Sequence, residues 1–220
     1  MRNPNTRRAY ARAVQEFLTW CNTVRGPSHS ARQGKTPVLE PSEARQLLDS
    51  IDTSTPAGLR DRALIALIVF SFARVGAALG MKVEDVYTQN RRLWVRLREK
   101  GGKAAHDAVP SLPGAVSARV PGAGRDRGRS KGPLFRTIRR GTGQLSPTVL
   151  PQANAHAMVH RRALAAGLVT LIGNHTFRAT GITAYLKNGG SLENAAAMAN
   201  DASTRTTQLY DRRRDDISLD

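Results

Sequence analysis

Cysteine is almost missing from this chain: Cys21 is the one thiol. That excludes an intrachain disulfide and any metal site built on a cysteine cluster, and it suits a reducing cytosol. Acidic residues are also scarce, 17 against 34 lysines and arginines, for a formal net charge of +17 and a pI near 11.4. No apolar run approaches the roughly 20 residues of a membrane-spanning helix; the longest lies around Leu64 to Phe72. Met1 to Arg12 is polar and basic, without the apolar stretch of a signal peptide. Neither secretion nor a membrane span is expected.

The charge sets the class of partner. A strongly basic chain attracts polyanions, nucleic acid first among them. A solvated basic surface, or an RNA binder of the ribosomal type, would carry the same excess. At 220 residues the chain suits one domain with a substantial core plus an appendage.

Tyr10, Val14, Phe17 and Leu18 follow the three-and-four spacing of an amphipathic helix ending near Cys21. A basic segment rich in Pro, Gly and Ser follows, so we expect a residual N-terminal helix over residues 1–24, a linker over 25–40 and the main domain over 41–220. Pro41-Ser42-Glu43-Ala44 opens a helix carrying Leu47, Leu48 and Ile51. Pro56 to Ala73 is apolar almost all round, which predicts a buried helix ending beside Arg74. Gly76 to Leu79 suggests a short helix, and a strand is expected just ahead of Tyr87.

Leu93 to Arg98 alternates apolar with basic residues, the period of a half-buried strand. Glu99 to Lys103 reads as a turn carrying Lys100, with a return strand near His106 to Val109. Across Ala104 to Lys131 regular patterning dissolves into Ala, Gly, Pro, Ser and Arg, and weak order is expected there. Helices are then predicted over about Pro151 to Ala166, Thr176 to Lys187, Leu192 to Ala199 and from Thr204. The expected fold class is mainly α with a small antiparallel β-sheet, without internal repeats.

His175-Thr176-Phe177-Arg178 sets an imidazole and a guanidinium three apart at a helix start, where both could reach one phosphate. Such a pair occurs by chance on many basic helices. Its weight comes from Arg74 after the buried helix, Lys100 on the hairpin turn and Tyr210 at the end of Thr206-Thr207-Gln208-Leu209-Tyr210. Together with Leu59-Arg60-Asp61-Arg62-Ala63-Leu64, Ala73-Arg74-Val75, Leu79 to Val86 and Lys100-Gly101-Gly102-Lys103, these resemble the motifs of the tyrosine recombinase, or phage integrase, family in their usual order.

The resemblance implies the DNA breaking-rejoining fold, double-stranded DNA as substrate and a tetrameric synapse with other protomers. It implies that Tyr210 attacks a DNA phosphate to form a 3′-phosphotyrosyl link, splitting strand exchange into two transesterifications. Arg74 and Arg178 would grip the non-bridging oxygens, Lys100 would protonate the departing 5′ oxygen, and His175 would assist proton transfer on the attacking side. No cofactor, ATP or metal is called for. Tyr10, Tyr87 and Tyr185 suit packing, and His29, His106, His156 and His160 are assigned no role.

The chain departs from the family pattern in four places. Asp201 stands nine residues before Tyr210, where the family carries a histidine or tryptophan that donates to the scissile phosphate; a carboxylate only accepts, and would repel it. Alternatively Asp201 turns away and pairs with Arg205, one helical turn on. One helix is expected where the family carries an N-terminal clamping domain several helices long, the 104–131 segment stands where a regular helix would follow the hairpin, and ten residues follow Tyr210 where many members carry a further helix. A basic remnant that binds recombination sites without cutting them is therefore a second expectation.

Overall fold

The computed structural model describes residues 36–89, 92–98, 104–108 and 131–211. The helix expected over 1–24, most of the linker and Lys100 lie outside them. Packing begins before Pro41: Leu39 is buried, and its N–H donates to Thr180 Oγ1 at 3.0 Å.

Helix α1 (Pro41–Asp49) starts with Pro at its first position, and Glu43 reaches back to accept the Glu40 N–H at 3.0 Å. Proline suits that position because its missing N–H would lack a helical partner anyway. Helix α2 (Pro56–Ser71) begins the same way, with Thr55 Oγ1 accepting the Gly58 N–H. Almost every residue from Gly58 to Ser71 is buried, as an all-round apolar helix requires.

The charges buried on α2 are paired. Asp61 Oδ1 accepts from Arg60 Nε at 2.8 Å and Nη2 at 2.6 Å, while Oδ2 accepts from Arg162 Nε at 3.0 Å and Nη2 at 2.8 Å. Arg60 Nη1 donates to the Arg136 carbonyl. Arg60 thus ties α2 to strand β4 (Arg136–Ile138), and Asp61 ties it to helix α4 (Gln152–Ala165).

Helix α3 (Val75–Leu79) leads to a 3₁₀ turn at Val83–Asp85 and then to β1 (Val86–Gln89), β2 (Arg92–Arg98) and β3 (Ala104–Ala108), an antiparallel sheet in that order. Tyr87 therefore lies within a strand rather than after one. The turn displaces it, because buried Asp85 accepts the Lys82 N–H and closes the chain there. Val95 and Leu97 face the core between more open neighbours, the alternation read from the sequence. β3 occupies the start of the segment expected to be weakly ordered; residues 109–130 lie outside the described residues.

A second sheet was not anticipated. β4 pairs antiparallel with β5 (Leu145–Val149) across a turn where Gly141 and Gly143 have positive φ. β5 contains Pro147 and is mostly exposed, so it carries none of the apolar alternation that marks a strand in sequence. The single expected sheet is thus two.

Helices α4, α5 (Asn174–Lys187), α6 (Leu192–Met198) and α7 (Thr204–Gln208) complete the described chain. α4, α5 and α6 each end in a left-handed residue, Gly167, Gly189 and Asn200, followed by a backward N–H to the last turn. The main core joins Leu47, Leu64, Ile68, Leu97, Met158 and Phe177, each buried side chain worth about 1.5–3 kcal/mol. A smaller cluster of Phe72, Ile182, Leu186, Ala195 and Ala199 lies beside it. α2 and α5 approach so closely that a Cβ on Gly181 would stand 2.0 Å from the Val69 carbonyl oxygen.

Candidate active site

Two abrupt helix ends build the site. α2 stops at Phe72, whose φ of 51° is left-handed and turns its carbonyl toward α5, where Arg178 Nη1 donates to it. Left-handed geometry is costly for a bulky residue, and here it delivers a carbonyl to a buried guanidinium. Arg74, two residues on, stands at the N-cap position of α3 without a side-chain bond to that helix.

The second end is that of α6. Asn200, at φ 47°, and the bonds from Asn200 N–H to the Ala197 carbonyl and Asp201 N–H to the Ala196 carbonyl form a Schellman closure. Asparagine tolerates this backbone better than most residues. The closure turns the chain so that Asp201 faces the two arginines.

Asp201 Oδ1 accepts from Arg74 Nη2 at 2.9 Å and from Arg178 Nη2 at 2.8 Å; Oδ2 accepts from Thr207 Oγ1 at 2.9 Å. Arg178 also donates to the Ala199 carbonyl at 3.0 Å. The Asp201 and Arg178 side chains are 1% and 4% exposed, whereas Arg74 is 42% exposed, so the fork opens to solvent on the Arg74 side. The alternative pairing with Arg205 does not form. Arg205 lies in the first turn of α7 with its N–H on Ser203 Oγ, while the arginines from α5 and the start of α3 hold the carboxylate.

Arg74, Arg178 and Asp201 therefore meet. His175 lies one turn before Arg178 on α5 but is exposed where Arg178 is buried; among the described residues no hydrogen bond or ion pair joins it to that group. Tyr210 follows α7, is partly buried, and packs against the cluster containing Phe72 and Ile182. Its carbonyl accepts from Thr183 Oγ1 at 2.8 Å. Lys100 is outside the described residues. Thr207 and the carbonyls of Phe72 and Ala199 join the site without a chemical signal of their own in the sequence. The one available signal is electrostatic: an acidic residue in a chain whose lysines and arginines number 34 against 17 acidic residues.

Of the remaining tyrosines described, Tyr185 packs edge-on against Phe72 at 5.9 Å between ring centres, and the Tyr87 ring carries the Arg96 guanidinium at 5.6 Å. His156 and His160 form an exposed pair on α4 with their Nε2 atoms 3.1 Å apart, an i, i+4 contact that the sequence reading passed over. Among the described residues there is no group of three or more metal-ligating side chains, and no helix is long and apolar enough to cross a membrane.

This scaffold and this order of motifs define the phage integrase family, and the chain belongs to it: the family model matches residues 37–216. Tyrosine recombinase XerD of Mycobacterium tuberculosis is 29% identical over 202 residues, and that of Mycobacterium leprae 32% identical over 206. Each match covers 88% of this chain and 61% of the relative, so the chain spans well under the full length of these recombinases. The fold resembles XerH site-specific recombinase bound to palindromic difH substrate in a post-cleavage complex, with a TM-score of 0.60 at 22% identity, over 88% of this chain and 54% of that one. It also resembles a lambda integrase dimer bound to a core site, with a TM-score of 0.57 at 17% identity, over 90% of this chain and 67% of that one.

Proposed function

We propose that this chain is a tyrosine-type site-specific recombinase of a mobile element, cutting and rejoining double-stranded DNA through a 3′-phosphotyrosyl intermediate on Tyr210. The observation that carries the proposal is the convergence of Arg74 and Arg178, from distant parts of the chain, on one oxygen of an anion. Two guanidiniums aimed at one point suit the non-bridging oxygens of a phosphate whose charge builds in the transition state. Relatives named as recombinases and integrases, among them a lambda integrase tetramer on a Holliday junction, support the same reading.

In the proposed reaction the Tyr210 phenolic oxygen bonds to phosphorus and its proton passes to the His175 side. The bond from phosphorus to the 5′ oxygen breaks, and Lys100 protonates that oxygen to leave a 5′-hydroxyl. A 5′-hydroxyl from the partner strand then attacks the phosphotyrosine and gives up its proton to Lys100, the bond from phosphorus to the Tyr210 oxygen breaks, and that oxygen takes a proton back from the His175 side. The phosphodiester energy stays in the protein link, so neither ATP nor a metal is consumed. Further protomers would complete a synapse on DNA in the cytoplasm, at the nucleoid.

The test is incubation of the full chain with nicked duplexes tiled from the DNA flanking its gene. A denaturant-resistant adduct is expected from the native chain and none from Tyr210→Phe, with DNA binding retained in both; an adduct that persists in the variant would overturn the assignment. A second reading, a non-cleaving DNA-binding protein, is favoured by one observation: a carboxylate already fills the arginine fork. Its signature would be salt-sensitive binding with no covalent product.

A further inference from the structure

Asp201 is placed as a bound anion is placed. One oxygen takes both guanidiniums at 2.8 and 2.9 Å, the other takes the Thr207 hydroxyl, and the side chain is 1% exposed. A carboxylate this deeply buried is held only where charged donors offset its lost hydration. Here two guanidiniums do so, with the Thr207 hydroxyl as a third donor, and the Schellman closure at Asn200 fixes the backbone that presents it.

We propose that the Asp201 carboxylate is an internal stand-in for phosphate, occupying the Arg74–Arg178 fork while no DNA is bound, so that a DNA phosphate enters only by displacing it. This rests on the reading of the fork as a phosphate clamp. With the carboxylate in place, two positive charges are offset by one negative charge, and each guanidinium has an Nη2 donor engaged. The entry side is set by exposure: Arg178 is sealed beneath the carboxylate, while Arg74 is 42% open to solvent. Phosphate would meet Arg74 first and reach Arg178 as the carboxylate withdraws.

Displacement also reaches the nucleophile's segment. Thr207, which holds the other Asp201 oxygen, lies three residues before Tyr210, and its carbonyl accepts the Tyr210 N–H at 3.0 Å. Withdrawing Asp201 from the arginines loads or breaks its bond to Thr207, so filling the fork is coupled mechanically to the turn that carries Tyr210. An intramolecular competitor lowers apparent affinity by the fraction of time the site is free, so a fork free about one-tenth of the time binds phosphate about tenfold more weakly than an open one.

Calorimetric titration of the full chain with inorganic phosphate tests this. Asp201→Asn keeps the shape but weakens the competitor, and is expected to bind phosphate at least about tenfold more tightly than the native chain. Adding Arg74→Ala to that variant should abolish the gain, which separates the fork from the other basic sites of the chain. An Asn variant that binds no more tightly, or a gain that survives Arg74→Ala, overturns the proposal. Should circular dichroism show Asp201→Asn unfolded, Thr207→Val, which loosens the carboxylate and keeps both arginines, should gain about two- to fivefold; unchanged affinity there also overturns it. Parallel nicked-duplex reactions separate the two claims. An adduct from the native chain without a phosphate gain in the variants refutes the internal competitor and leaves strand cleavage standing. A phosphate gain with no adduct from native chain or variant supports the competitor and counts against the cleavage reading.

Discussion

Arg178 Nη2 donates to Asp201 Oδ1 at 2.8 Å while the same side chain serves the carbonyls of Phe72 and Ala199. One buried guanidinium thus joins the end of α2, the end of α6 and the carboxylate in the fork. A lysine carries its charge on a single nitrogen and cannot span three acceptors spread in this way.

Arg178→Lys is therefore expected to lower stability by about 1–3 kcal/mol and to weaken phosphate capture. Urea denaturation measures the first effect and titration with inorganic phosphate the second. An unchanged midpoint would mean that the carbonyl bonds contribute little.

Gly181 and Gly76 should respond in opposite directions to the same change. A Cβ at Gly181 would stand 2.0 Å from backbone, which flexible side-chain movement cannot relieve, so Gly181→Ala should cost about 1–3 kcal/mol or more by forcing α2 and α5 apart. Gly76, on α3, has nothing within 4 Å of the added carbon, and Gly76→Ala should gain about 0.4–1 kcal/mol. Paired thermal melts decide both.

Asp61→Asn removes the charge that binds buried Arg60 and half-buried Arg162. Leaving the buried Arg60 guanidinium without its counter-ion is expected to cost about 3–5 kcal/mol, read as a lowered denaturant midpoint. A loss below about 1 kcal/mol would place this network with ordinary surface ion pairs.

Asn200 tests the backbone that presents Asp201. Asn200→Gly should hold or raise stability, because glycine adopts positive φ without strain. Asn200→Val should lower it by about 1–2 kcal/mol. If both variants melt with the native chain, the Schellman closure is not what fixes Asp201.

Much of the fold was legible because its helices announce themselves by period and punctuation. The helix expected from Pro56 to Ala73 runs Pro56–Ser71, and that from Thr176 to Lys187 runs Asn174–Lys187. The β4–β5 hairpin was not legible, because exposed strands with Pro147 bury too little to impose alternation. The meeting of Arg74 with Arg178 followed from motif order. What held Asp201 did not, since its two charged partners, Arg74 and Arg178, are remote in sequence, and a neighbour rule naming Arg205 cannot see a tertiary pairing. That Phe72 would take a left-handed backbone was equally hidden, because nothing local favours it.

The most direct test of the central claim is to digest the covalent DNA adduct and map, by mass spectrometry, which tyrosine carries the nucleotide. The nucleotide is expected on Tyr210. A nucleotide on Tyr10, Tyr87 or Tyr185 would contradict it.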